Sequence, residues 1–271
     1  MERAILGSEE IQTLEFLAEH RVATTWQVQA LLGGSPQATE RRIRRLAEAG
    51  LVARQKIFEG QPAACWITRQ GLGAIERHLP APTVDLKGYR HDVGLGWLWL
   101  AARGGEFGEL RAVVSERTMR SADRRDPTPG RTYGVGVGGG GRVHYPDLLL
   151  ETATGHRVAV ELELTGKGRR RLERIMLGYA ADPRVDGVLY LCPRGPLGRR
   201  VQDAARRMGV SDRVSVQLLA PGSPEGVPDP GRVATRQLGR ATTRQAERTP
   251  PRQPVPARTR TSRSRAPAAE L

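Results

Sequence analysis

The sequence predicts a mixed α/β (α+β) protein with two folded units and a basic tail. Three observations carry that expectation. Short amphipathic helices followed by a β-hairpin fill residues 1–79, the elements of residues 89–220 follow the order αβββαβ, and residues 221–271 lose apolar periodicity while keeping arginine and proline. Between the units, residues 80–88 open with Pro80 and Pro82, whose spacing interrupts regular structure and stiffens a linker.

In the first unit, Ser8 reads as the cap of a helix reaching about residue 20, with Ile11, Leu14 and Leu17 on one side. Thr25 opens a second helix carrying Val28, Leu31 and Leu32, and Gly33-Gly34 ends it. Ser35-Pro36 sets a capping hydroxyl before a proline at the first helical position, where the missing N–H costs nothing, and the third helix runs on to Ala49-Gly50. At about 100° per residue, Ile43 and Leu46 mark its buried side while Gln37, Arg41, Arg44 and Arg45 project away. Residues 51–58, a turn at 59–62 and residues 63–67 read as a hairpin, with Arg54 and Lys56 on its first strand.

Arg44-Arg45-Leu46 through Gly50-Leu51-Val52, then Trp66-Ile67-Thr68 and Gly71, resemble the winged helix-turn-helix of bacterial regulators. The resemblance implies that the third helix reads DNA and the hairpin is the wing, with Gln37, Arg41, Arg44, Arg45, Arg54 and Lys56 as the contacts. The alternative is an ordinary solvated arginine face, with the hairpin pairing against another protein chain.

Charge points the same way. The 271 residues carry a formal net charge of +14 and a pI near 11.0, a field suited to a polyanion, and double-stranded DNA is the expected partner. No apolar run approaches the roughly 18 residues of a membrane span, and Met1-Glu2-Arg3 does not open a signal peptide, so a cytoplasmic protein is expected. Cys65 and Cys192 fall in predicted strands far apart, which argues for buried thiols over a disulfide or a zinc site.

The second unit reads as a helix over 90–103, a strand over 110–115, strands 143–150 and 157–164 around an Ala153-Thr154-Gly155 turn, a helix over 167–180, a strand over 188–192, a helix near 199–208 and a strand over 214–218. The 167–180 helix buries Leu172, Ile175, Met176 and Tyr179 and turns Arg169, Arg170 and Arg174 outward. On the 157–164 strand the pleat puts Val158, Val160, Leu162 and Leu164 on one face and Glu161 and Glu163 on the other, with Asp147 across the hairpin. Three carboxylates in one small region repel, and a divalent cation such as Mg²⁺ would relieve them. The alternative is a sheet whose acids face water.

Pro146-Asp147 on one strand and Glu161-Leu162-Glu163 on the next, in the αβββαβ order, resemble the PD-(D/E)xK nuclease superfamily. With the first unit, His91 at a helix start, Ser115-Glu116-Arg117 at a strand end, Tyr145-Pro146-Asp147 and Tyr179, residues 8–219 are similar to the replication-relaxation family of actinobacterial plasmids and integrative elements. The resemblance implies a restriction-endonuclease-like fold and metal-dependent phosphodiester hydrolysis: Asp147 and Glu161 holding Mg²⁺ or Mn²⁺, Glu116 completing the metal site, and Glu163 and Lys167 joining the catalytic set. Glu163 stands where most members place lysine. Lys167 either supplies that ammonium or, with Arg169, Arg170 and Arg171, meets only phosphates or water, which is the simpler reading. His91 is expected to cap or pair locally.

The glycine run at 134–141 contains G-x-G but leads into a strand, whereas a phosphate loop opens a helix, so a mobile loop is expected, continuing a long connection with residues 121–131. Arg232, Arg236, Arg240 and Arg244 recur every four residues in a tail expected to be disordered and to add salt-sensitive, sequence-independent affinity. Together these features predict a DNA-binding protein of a plasmid or integrative element, acting in replication, relaxation or transfer. Metal-dependent nicking or cleavage is one form of that activity. The other is a non-catalytic regulator or replication-recruitment factor on a degenerate nuclease fold. A homodimer and replication or transfer proteins are compatible partners.

Overall fold

The computed structural model describes residues 6–128, 132–139 and 141–219. The expectations for residues 129–131, residue 140 and the arginine-rich tail fall outside the described residues.

The first helix, α1 (Ser8–Glu19), follows an extended Gly7 and has no side-chain cap, so Ser8 is the first helical residue and not the predicted cap. Glu9 and Glu10 in its first turn complement the helix dipole instead. β1 (Ala23–Thr24) leads into α2 (Thr25–Leu32) through a capping box, in which the Thr24 hydroxyl accepts from the Gln27 N–H and the Gln27 side chain accepts from the Thr24 N–H at 2.8 Å. Gly33 stops α2 at φ 71°, a conformation that disfavours any residue with a Cβ. In α3 (Pro36–Glu48) the predicted start is present: Ser35 accepts from Ala38 N–H and Pro36 begins the helix. β2 (Val52–Gln55) and β3 (Ala64–Ile67) pair antiparallel with Val52 opposite Ile67, β1 lies on the other side of β3, and α4 (Arg69–Ala74) follows.

The remaining elements are α5 (Tyr89–Arg103), β4 (Leu110–Ser115), α6 (Glu116–Arg125), β5 (Val135–Gly136), β6 (Val143–His144), β7 (Leu148–Thr152), β8 (Arg157–Leu162), α7 (Arg169–Ala181), β9 (Gly187–Pro193), α8 (Pro196–Arg207) and β10 (Val214–Leu219). Five strands form one sheet in the order β10-β9-β8-β7-β4. β4, β7 and β8 run antiparallel, and β8, β9 and β10 run parallel.

Three details differ from the sequence reading. Helix α6 was not expected; the Ser115 hydroxyl caps it by accepting from Thr118 N–H, and only Met119 and Ser121 on it are buried, so no apolar stripe announces it. The predicted 143–150 strand is two strands: β6 pairs with β5 and β7 joins the main sheet. Pro146, which cannot donate to a ladder, sits between them. Consequently part of the glycine run is a strand and not a loop. It lies close against α7, where a Cβ on Gly178 would come within 2.5 Å of the Gly136 carbonyl oxygen.

One face of the large sheet, with Leu148, Leu150, Val158, Val160, Leu162, Leu189 and Leu191, shares a core with α5 and with Leu14, Phe16, Ile43 and Ile67 of the first unit. The opposite face packs Leu149, Ala159, Tyr190 and Cys192 against α7 and α8 through Leu172, Ile175, Met176, Tyr179, Val201 and Ala204. Cys65 and Cys192 are free, buried thiols.

Polar contacts reinforce the seam between the units. Arg21 reaches Glu116 at 2.8 Å and Asp92 at 3.4 Å, Glu19 accepts from Ser115 and Thr118 at 2.6 and 2.8 Å, and Arg117 donates to the Ala18 and Pro80 carbonyls at 3.0 and 2.8 Å. Gln27 crosses to the Val93 carbonyl at 2.7 Å.

Candidate functional site

Two chemically distinct sites stand out, and the first is the outer surface of α3. Thr39, Ile43 and Leu46 bury its inner side, while Gln37, Arg41, Arg44 and Arg45 are exposed. Residues 37, 41 and 44 are four and three apart and therefore lie along one face. With Thr25, Trp26, Gln29 and Glu40 they line an open groove of about 420 Å³ between α2 and α3, and the Trp26 indole there is 47 % exposed.

The arginines are not equivalent. Arg45 pairs with Glu10 at 2.9 Å, Arg54 pairs with Glu40, and Lys56 lies 3.4 Å from Glu59. Arg41 and Arg44 have no carboxylate partner among the described residues. Their charge is free to meet an external anion, which the residue pattern alone did not distinguish.

The second site lies on the α7-facing side of the sheet. Leu148 is opposite Val160, so the next antiparallel position brings Asp147 opposite Glu161, and the parallel register places Glu161 beside Tyr190. Glu161 and Glu163 are buried, not water-facing. Glu161 Oε1 accepts from the Tyr179 hydroxyl at 2.6 Å and from His144 Nε2–H at 2.7 Å, and Glu161 Oε2 is 3.4 Å from Lys167 Nζ. Glu163 takes the Lys167 ammonium directly and the Lys167 backbone N–H at 3.1 Å. Asp147 Oδ2 accepts from Leu162 N–H at 2.8 Å and meets His91 Nε2 at 3.2 Å.

These contacts sort the charges. Burial works against ionising Glu161, but hydrogen bonds from His144 and Tyr179 and the nearby Lys167 outweigh it and hold its pKa below the usual value. Burial, then the Glu161 charge, push Asp147 up. Against the cost of burial, Asp147 and Asp92 raise the His91 imidazole to about 10, so it is a cation at neutral pH. Glu161 and Glu163 likewise overcome burial to raise Lys167, and burial followed by the Glu161 charge lifts the Tyr179 phenol.

Two sequence readings are corrected here. Lys167 does not project to water or phosphate; it folds back from the loop before α7 onto both glutamates. His91 pairs across 56 residues with Asp147, not merely with its own helix. His144 and Tyr179 were missed as site residues because their partner is 17 and 18 positions away.

Glu116 leaves the expected metal set. It begins α6, and its two oxygens accept from Arg21 and Arg120, each at 2.8 Å, which outweighs burial and lowers its pKa. Mg²⁺ needs oxygen donors on a near-octahedral shell at about 2.0–2.1 Å. Here both Glu161 oxygens, Glu163 and Asp147 Oδ2 are engaged by protein donors, and no group of three or more His, Cys, Asp or Glu side chains converges as a metal site among the described residues. The donor set as folded does not fit Mg²⁺ or Mn²⁺.

Of the remaining predicted phosphate contacts, Arg169 pairs with Glu173 at 2.9 Å and Arg170 is exposed on the first turn of α7. No helix of the described residues is long and apolar enough to cross a membrane.

The fold and these two sites define a mixed α/β protein with a basic helical surface at one end and a buried, internally neutralised acid cluster in its sheet. Residues 14–90, from α1 to the start of α5, match the replication-relaxation family model. No curated protein and no solved structure matches the chain.

Proposed function

We propose that this is a DNA-binding protein that acts in plasmid or mobile-element replication or relaxation, with the first unit serving as a winged helix that reads duplex DNA through α3. The carrying observation is the pair of exposed guanidinium groups of Arg41 and Arg44, without a carboxylate partner among the described residues, on the same helix face as Gln37. Arginine offers bidentate recognition of guanine or phosphate, and glutamine of adenine, so this face suits a major groove. The strand order β1-β3-β2, the net charge of +14 and the replication-relaxation match over residues 14–90 support the same reading.

On this reading the second unit is a nuclease-like fold that serves as a non-catalytic scaffold, because its acids are held by Lys167, His91, His144 and Tyr179. The test is fluorescence anisotropy on a library of duplexes, followed by Arg41→Ala and Arg44→Ala on the selected site. Unchanged sequence preference in both variants would refute the α3 assignment.

A second reading, metal-dependent nicking, draws on the facing positions of Asp147 and Glu161. Nicking of supercoiled plasmid that requires Mg²⁺ or Mn²⁺ and disappears in Asp147→Ala would favour it over the scaffold.

A further inference from the structure

We propose that Lys167 is the resident cation of the Asp147, Glu161 and Glu163 cluster, occupying the place into which the acids would otherwise draw a divalent ion, so that the cluster takes up no metal while Lys167 is there. This goes beyond the DNA-reading assignment, and its test involves no DNA.

The attachment of Lys167 is specific. Its Nζ contacts Glu163 and lies 3.4 Å from Glu161 Oε2, while its own backbone N–H donates to Glu163 Oε1 at 3.1 Å. The residue is therefore fastened through side chain and backbone to one carboxylate. The short segment between β8 and α7 turns back over the strand end to allow it. The Lys167 side chain is only 19 % exposed, and Glu161 and Glu163 are 1 % and 3 % exposed, so the ion pairs are shielded from water.

Charge and space argue together. A hydrated dication needs oxygen lone pairs and room for several waters. The pairs it would take are those turned toward Lys167 on Glu161 and Glu163 and toward His91 on Asp147. An ammonium carries its charge on a flexible stem and is satisfied by a few hydrogen-bond acceptors, without the near-octahedral oxygen shell that Mg²⁺ demands. Isolated buried carboxylates would be costly, and removing the ammonium leaves them unpaired. A variant without it is thus expected to seek a replacement cation.

The experiment titrates Mn²⁺ into the full chain, read by calorimetry and by the thermal midpoint. The original sequence is expected to show no saturable site that Asp147→Asn removes. Lys167→Met is expected to gain one site and a midpoint rise of about 5–10 °C at a hundredfold excess over Kd. That rise should vanish in Lys167→Met combined with Asp147→Asn. Lys167→Arg, which keeps the charge, should behave like the original.

Should Lys167→Met fail to fold, Lys167→Gln preserves a polar contact to Glu163 and takes its place. A stoichiometric Mn²⁺ site in the unaltered chain that Asp147→Asn abolishes overturns the proposal, and that arm needs no lysine variant. Folded Lys167→Met or Lys167→Gln protein that gains no Mn²⁺ site overturns it equally.

Discussion

The surface of α3 and the acid cluster under α7 are opposite treatments of charge. On α3, Arg41 and Arg44 stand in solvent with no carboxylate partner among the described residues; under α7, Glu161 is 1 % exposed and surrounded by Lys167, His144 and Tyr179. Exposed unpaired cations contribute little to folding and stay available to a ligand. A buried charge is committed to its neighbours, because leaving any of them unpaired costs desolvation. The contrast teaches that density of acids alone does not mark a reactive site. What matters is whether their lone pairs are already taken.

The largest effect should come from the buried side. Glu161→Ala leaves the Tyr179 hydroxyl and the His144 imidazole without their carboxylate, while Lys167 keeps Glu163, and is expected to cost roughly 3–5 kcal/mol of stability by denaturant unfolding. A loss under about 1 kcal/mol would mean that water reaches the cluster and that the contrast is overstated.

Next comes pH. His20, buried against Phe16 and Trp99, has its pKa lowered to about 3, first by burial and then by the Arg117 charge. A histidine lowered below its unfolded value of 6.5 contributes stability that is present above 6.5 and declines as pH falls toward 3. The expected contribution is about 1.4 kcal/mol per pH unit within that window. The measurement is the stability slope between pH 6.5 and 4 relative to His20→Leu, whose slope should be shallower; identical slopes contradict the assignment.

On the exposed side, Arg41→Ala or Arg44→Ala should weaken binding to the selected duplex by about 1–3 kcal/mol if the residue contacts a base, and lower the salt slope by about 1 if it contacts a phosphate. Unfolding stability should shift by less than about 0.5 kcal/mol. The smallest effect is expected for Arg54→Ala, which loses a partly exposed pair with Glu40 worth about 1 kcal/mol or less. Affinity losses equal for Arg54 and Arg41 would erase the distinction between paired and unpaired arginines.

Much of this was legible from local chemistry. Ser35-Pro36 announced α3, and the pleat together with the Ala153-Thr154-Gly155 turn put Asp147 across the hairpin from the two glutamates, without saying which of them it faces; the register supplies that. Where the signal was not local, the sequence misled. Helix α6 lacks an apolar stripe, so its Arg- and Asp-rich residues read as a connection. The cap at Thr24 is an exception, a local signal passed over: Thr24 and Gln27 have the Thr-x-x-Gln spacing of a capping box, but Thr25 reads as the opening residue. His91, His144 and Tyr179 reach the cluster only after distant elements pack, and no spacing rule marks such pairs. Lys167 was the closest case, since four residues from Glu163 is near enough to fold back, yet the neighbouring arginines made a solvent- or phosphate-facing role look the simpler one.

Gly178 carries a consequence of its own. The strand that pairs with His144's strand lies directly on this helical position, and a methyl group there would sit 2.5 Å from the Gly136 carbonyl oxygen. An alanine at 178 would act as a wedge beneath β5, lifting β6 and withdrawing the imidazole that His144 offers to Glu161. The electrostatic setting of the cluster thus depends on the absence of a side chain on a helix that supplies it with only one direct donor, Tyr179.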